Sequence, residues 1–140
     1  LVCFGNTLAH LASLHEMNDF LQQAHSLLRP NGHIFLQIVN FNRILDQGIH
    51  SLPLIDNDHV RFERFYAHRN SQNLIDFRTI LTVKSNNIKI ENVTALYPLQ
   101  RDELEGLLQK TGFQNIRFFG TFAKNTWTNT RMATIVEATN

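Results

Sequence analysis

The sequence predicts an α/β fold in which a parallel sheet is interrupted by an antiparallel one. An apolar strand, an amphipathic helix and a second apolar strand follow one another in the first 41 residues, the order of a βαβ unit. Between about residues 60 and 99 the pattern changes to period two, as expected of half-exposed antiparallel strands. A short helix and two strands close the chain.

Residues 1–4 (LVCF) read as the tail of an interior strand, and Gly5-Asn6-Thr7 turns the chain out of it. In residues 16–28 (EMNDFLQQAHSLL) the apolar positions Met17, Phe20, Leu21, Ala24, Leu27 and Leu28 recur at helical spacing. Pro30 cannot continue that helix, and Asn31-Gly32 supplies a tight turn. Residues 33–41 (HIFLQIVNF) are almost continuously apolar, the pattern of a strand covered on both faces. Residues 42–59 carry Gly48 and Pro53 and keep no period, so they read as an irregular excursion.

Two alternating strands come next, 60–68 (VRFERFYAH) and 74–83 (LIDFRTILTV). The first puts Phe62, Arg64 and Tyr66 on one face, and the second groups Ile75, Phe77, Thr79, Leu81 and Val83. Ser85-Asn86-Asn87 turns into a third strand within 88–99, since Asn tolerates the positive φ of tight hairpins. Residues 101–110 (RDELEGLLQK) align Leu104, Leu107 and Leu108 and end at Thr111-Gly112, a helix with its glycine cap. The final strands, 115–123 and 132–139, flank a polar connection that contains Trp127.

Composition narrows the function classes. The chain has 140 residues, enough for one domain with a real core, and 43% of them are hydrophobic. Thirteen Lys and Arg against twelve Asp and Glu leave no broad field to attract nucleic acid or an anionic membrane, so neither partner is expected. "RFERFY" divides its cations and aromatics between two strand faces, which suits a lid strand better than a nucleic-acid patch. Cys3 is the single cysteine, which is compatible with a cytoplasmic protein, and no apolar run is long enough to span a bilayer. The seven His include no pair with zinc-ligand spacing, and no metal is expected. The first Met is Met17, inside a predicted helix, so the chain reads as a fragment or a processed product.

Three stretches, "CFGNTLAHL", "LLRPNGHIFLQIVNF" and "LLQKTGFQNIRFFG", occur in the order and spacing of strand-and-helix units in the second half of class I S-adenosylmethionine-dependent methyltransferases. The sequence resembles that family. Glycine and sarcosine N-methyltransferases come nearest, through "CFGNTLAHL", "NFNRIL" and "LYPL". The resemblance implies a Rossmann-like sheet of which this chain supplies strands four to seven, the last antiparallel. Residues 1–140 would then be a partial domain with an antiparallel lid inserted at 42–97. The family's glycine-rich loop and its acidic ribose ligand have no counterpart in this sequence.

The same resemblance implies a cofactor, S-adenosyl-L-methionine, and a small-molecule methyl acceptor, most simply an amine. Phe4, Gly5, Asn6, Thr7 and His10 would lie along the cofactor, with Asn6 also reaching the acceptor. Asn40, Phe41, Asn42 and Arg64 would line the substrate, and Tyr97 would orient it. Where the glycine-methylating members place a carboxylate-clasping Arg, this sequence has Val39, so a clasp would come from Arg43, Arg61 or Arg64. Each residue has a plainer role too: Thr7 as a helix cap, His10 as a hydrogen-bond partner, Tyr97 as strand-end packing. The chain alone would be inactive and would tend to pair through its exposed sheet edge, and a non-catalytic binding or assembly module is the other reading.

Overall fold

The central sheet has four strands in the computed structural model, which describes residues 1–69 and 73–140. β1 (Val2–Cys3) runs parallel to β2 (His33–Val39), and α1 (Leu14–Leu27) connects them. Ser13 Oγ caps α1 by accepting the Glu16 N–H at 3.2 Å, and the Glu16 carboxylate reaches back to accept the Ala12 N–H at 2.8 Å, which fixes the entry into the helix. Met17, Leu21 and Ala24 of α1 are buried with Ile34, Leu36 and Ile38 of β2 in one core.

The excursion expected at 42–59 is not wholly irregular. It opens with α2 (Phe41–Asp46), and β2 therefore stops at Val39 rather than continuing to Phe41. Asn40 caps α2 by accepting the Arg43 N–H at 3.3 Å, and Phe41 and Ile44, one turn apart, are both buried. Six residues with two buried positions are too few for a periodic signal.

A second sheet follows, built from β3 (Ile55–Asp56), β4 (Val60–His68), β5 (Ile75–Val83) and β6 (Ile88–Leu96), antiparallel and in chain order. Tyr66 pairs with Phe77 and Phe77 with Thr94, while Thr79 pairs with Asn92, which sets these side chains in rows on one face. Asn87 takes a φ of 54° in the turn between β5 and β6, the conformation for which Asn is suited. Residues 70–72, inside the expected 42–97 insert, lie outside the described residues. The second sheet docks on the first through its own core, in which Tyr66, Ile75 and Leu96 meet Ala9, Phe41 and Ile44.

α3 (Arg101–Lys110) returns the chain to the first core through Leu104, Leu107 and Leu108. It ends where Gly112 adopts φ +95°, a conformation that strains any side chain, and where a Cβ would press on the His25 ring at 3.1 Å. β7 (Gln114–Phe119) and β8 (Ala133–Thr139) complete the sheet in the order β1-β2-β8-β7, with β8 antiparallel to both neighbours as the resemblance implies.

Glu137 sits at the centre of β8 with its side chain only 6% exposed. Lys124 Nζ and Arg117 Nη2 each donate to its Oε2 at 2.9 Å, and His33 Nδ1 lies 3.3 Å from Oε1. The Lys124 hydrogen bond and the surrounding positive charge hold the carboxyl below its ordinary 4.5, although burial opposes them.

Two outcomes follow from this packing. Leu104→Ala empties a fully buried position and should cost roughly 2–5 kcal/mol in urea denaturation. Because the Glu137 pKa is depressed on folding, its contribution is present above the unfolded value and lost as pH falls through the folded one; Glu137→Gln should flatten the fall in stability below the ordinary carboxyl value of 4.5.

Candidate active site

The carboxyl ends of β1 and β2 lie side by side, and the chain leaves β1 through two consecutive left-handed residues, Gly5 at φ +76° and Asn6 at φ 66°. Left-handed backbone at a non-glycine residue is strained by on the order of 1 kcal/mol or more. Asn6 offsets that cost, since its Oδ1 accepts the Val39 N–H at 3.0 Å and its own N–H donates to Gln37 O at 3.2 Å. The Gly5 N–H donates to Gln37 Oε1 at 2.7 Å. With Oδ1 committed to Val39, the Asn6 Nδ2 keeps both of its donors without a partner among the described residues.

Asn6 therefore offers N–H groups to the space beside it. That space is a cavity of about 360 Å³ between the two sheets. Gly5, Asn6, His10 and Val39 form its wall on the central-sheet side. The second sheet supplies Tyr66 from β4, Phe77 and Thr79 from β5, and Asn92, Thr94 and Leu96 from β6, while Leu52 closes one end. Among the described residues no Asp, Glu, Lys or Arg lines it. Burial raises the Tyr66 phenol above its ordinary 10, so the ring stays neutral at physiological pH. A cavity beyond the carboxyl ends of parallel strands is where open α/β sheets bind ligands.

No family model matches the sequence. The chain is 29% identical over 124 residues to the glycine/sarcosine N-methyltransferase of Aphanothece halophytica, an alignment that covers 87% of this chain and 44% of that protein. Among solved structures it superposes on an S-adenosylmethionine-dependent methyltransferase from Clostridium acetobutylicum ATCC 824 with a TM-score of 0.82 at 10% identity, over 99% of this chain and 56% of that one. CalS10, an amino pentose methyltransferase from Micromonospora echinaspora solved with S-adenosylmethionine bound, gives a TM-score of 0.63 at 14% identity over 99% and 56%. The fold is that of the class I S-adenosylmethionine-dependent methyltransferases. The chain spans less than half of the Aphanothece relative.

Within this methyltransferase fold the expected site residues separate into groups. Gly5, Asn6 and His10 line the cavity. Phe4 is exposed beside it and meets the Phe122 ring edge-on at 5.2 Å. The Thr7 hydroxyl donates to Phe4 O at 2.7 Å and closes the turn, and it supplies no cap to the 3-10 turn that Thr7 itself begins.

Asn40, Phe41 and Asn42 are not among the lining residues. Asn40 is fully buried, and its Nδ2 donates to Thr128 O at 3.1 Å and Arg131 O at 2.9 Å. Phe41 belongs to the core between the sheets. Asn42 joins α2 to α3, accepting the Arg101 N–H at 2.9 Å and donating to Gln100 Oε1 at 3.2 Å. The Tyr97 hydroxyl donates to Glu103 Oε1 at 3.0 Å, and its backbone N–H holds Ala9 O at 2.8 Å, but its ring does not line the cavity. Burial foremost, and then Glu103, raise the Tyr97 pKa. Arg64 lines a different cavity, on the other side of Leu52.

The lid residues Tyr66, Thr79, Asn92 and Thr94 are absent from the expected set. Their alternation marks a shared face in the sequence, but only docking decides which face meets the central sheet. Asn40→Ala should remove two hydrogen bonds donated to backbone carbonyls and a helix cap together, lowering unfolding free energy by about 2–4 kcal/mol in chemical denaturation.

Proposed function

We propose that the protein to which this chain belongs transfers a methyl group from S-adenosylmethionine to the nitrogen of a small amine, and that this chain forms the acceptor side of the site. The observation that carries the reading is the cavity beside the turn from Gly5 to Asn6, lined among the described residues by no Asp, Glu, Lys or Arg. It agrees with the N-methyltransferase and amino pentose methyltransferase activities of the related proteins.

The turn itself fits a cofactor passing close to the backbone. A Cβ placed on Gly5 would meet nothing within 4 Å, and Asn6 keeps two donors free. When bound, S-adenosylmethionine supplies a methyl carbon activated by a sulfonium. The work left to these residues is positioning: the acceptor nitrogen must stand in line with that carbon, its lone pair free. Asn6 Nδ2 would orient the acceptor, with Thr79, Asn92 and Thr94 as further hydrogen-bonding groups across the cavity. Phe77, Leu96, Leu52 and Val39 exclude water, and a poorly hydrated cavity favours the neutral amine over its protonated form.

Val39 and the absence of Lys and Arg among the described lining residues favour an acceptor that brings no carboxylate into this cavity. Tyr97 acts as a positioning residue: its N–H fixes Ala9 and with it the 3-10 turn (Thr7–His10) that carries His10. The chain alone is inactive in this reading, because the glycine-rich and acidic cofactor ligands are not in its sequence.

Titration of the intact protein with S-adenosylmethionine in a calorimeter should show saturable binding, and the absence of heat at saturating concentrations would sink the proposal. Asn6→Asp keeps the acceptor atom for the Val39 N–H and removes the free donors. It should lower kcat/KM for the amine by roughly 10- to 100-fold while leaving the melting temperature within about 3 °C. Tyr97→Phe retains the backbone contact to Ala9 and should leave kcat/KM within about threefold, with a stability loss near 1 kcal/mol.

A further inference from the structure

We propose that the larger cavity on the other side of Leu52 binds a small organic oxyanion, a carboxylate or phosphate carried on an apolar body. The inference rests on this chain's own residues and does not depend on methyl transfer. The cavity measures about 600 Å³, within the size range of small-molecule sites. Three guanidinium groups line it, Arg43 from α2 and Arg61 and Arg64 from β4, against one carboxylate, Glu63.

That carboxylate is already taken. Arg61 holds Glu63 through two parallel contacts, Nε to Oε2 and Nη2 to Oε1, both at 3.2 Å, and also lies 3.4 Å from Asp56. Asp56 in turn is paired with Lys84 at 2.6 Å. Neither Arg43 nor Arg64 has an acidic partner among the described residues. Arg43 makes no side-chain hydrogen bond there, and Arg64 makes one, from Nη2 to Pro53 O at 2.8 Å.

The Arg64 Nε is shut off from solvent and has no acceptor, and the guanidinium lies 5.3 Å from the Phe62 ring centre. A half-buried guanidinium with an unsatisfied donor and no counter-charge is costly to keep, and an oxyanion at the cavity would supply the missing counter-charge and accept from the guanidinium's outer N–H groups. Both residues being arginine matches the forked geometry that carboxylate and phosphate oxygens accept. Leu52 and Phe65 on the cavity wall argue that the ligand carries an apolar body rather than being a free inorganic ion.

The test follows the side-chain Nε–Hε NMR signals of Arg43 and Arg64 and the backbone amide of Leu52 while the chain is titrated with hexanoate, hexyl phosphate or inorganic phosphate. Hexanoate or hexyl phosphate should give saturable shifts at both arginines, with a dissociation constant about tenfold or more below that of inorganic phosphate. Arg43→Gln, which breaks no hydrogen bond, should weaken that binding about fivefold or more, whereas Arg101→Gln, outside the cavity, should not change it. The proposal is overturned by the absence of saturation up to about 50 mM, or by an Arg43→Gln variant that binds as tightly as the parent. Equal affinity for inorganic and hexyl phosphate would overturn the organic ligand and leave a free-ion site.

Discussion

The fully buried carboxamide of Asn40 is the contact on which the two-sheet arrangement depends. It stands where β2 ends. Its Oδ1 starts α2 by capping Arg43, its Nδ2 ties down the carbonyls of Thr128 and Arg131, and its backbone N–H donates to Met132 O at 3.1 Å. One residue thus stops a strand, begins a helix and anchors the connection that leads into β8. Phe41 and Ile44 reach the inter-sheet core because the helix starts there, and that core seats the second sheet over the strand ends. A buried amide is costly unless its hydrogen bonds are made, and at Asn40 they are made to segments nearly ninety residues away in sequence.

Asn6 solves the complementary problem one strand over. The chain must leave β1 abruptly while its neighbour β2 runs on, and a left-handed Gly-Asn pair makes that departure at a conformational cost. Bonding Asn6 Oδ1 to the Val39 N–H repays part of it and fixes the amide rotation, which leaves the Nδ2 side open. Strain, a satisfied acceptor and a free donor at one residue link the local backbone to the proposed binding role.

Regular periodicity made much of the fold legible. α3 and β4 have the bounds their patterns predict, and α1 differs by a residue or two at each end, since long alternating or helical stretches reflect burial directly. α2 was not legible: its cap and its two buried residues take their meaning from the 128–131 connection and from the second sheet. The same limit governs the polar candidates. Asn6, Asn40, Asn42 and Tyr97 all stand near strand or helix ends, where polar side chains serve ligands and backbone alike. Asn42 with its whole amide and Asn40 with its Nδ2 bond partners 58 to 91 residues away, and no local pattern announces those contacts. Gly5, Asn6 and His10, by contrast, line the cavity because they lie on the strand-end turn itself.

Leu52 divides two cavities of opposite character, and the division has an electrostatic reason in the proposed chemistry. A sulfonium is a cation, and a second cation about 6 Å away at an effective dielectric of about 20 would oppose its binding by roughly 3 kcal/mol. A guanidinium in the acceptor cavity would be tolerable only if the acceptor carried an anion to neutralise it. With Val39 on the central-sheet wall and Arg64 in the lining of the other cavity, the proposed acceptor would need no such neutralisation and would be an uncharged amine. Arg64 shares its strand face with Tyr66 and stands opposite Thr79, yet it lines the other cavity, so in the proposed reading its charge is directed to an anion there rather than to the acceptor.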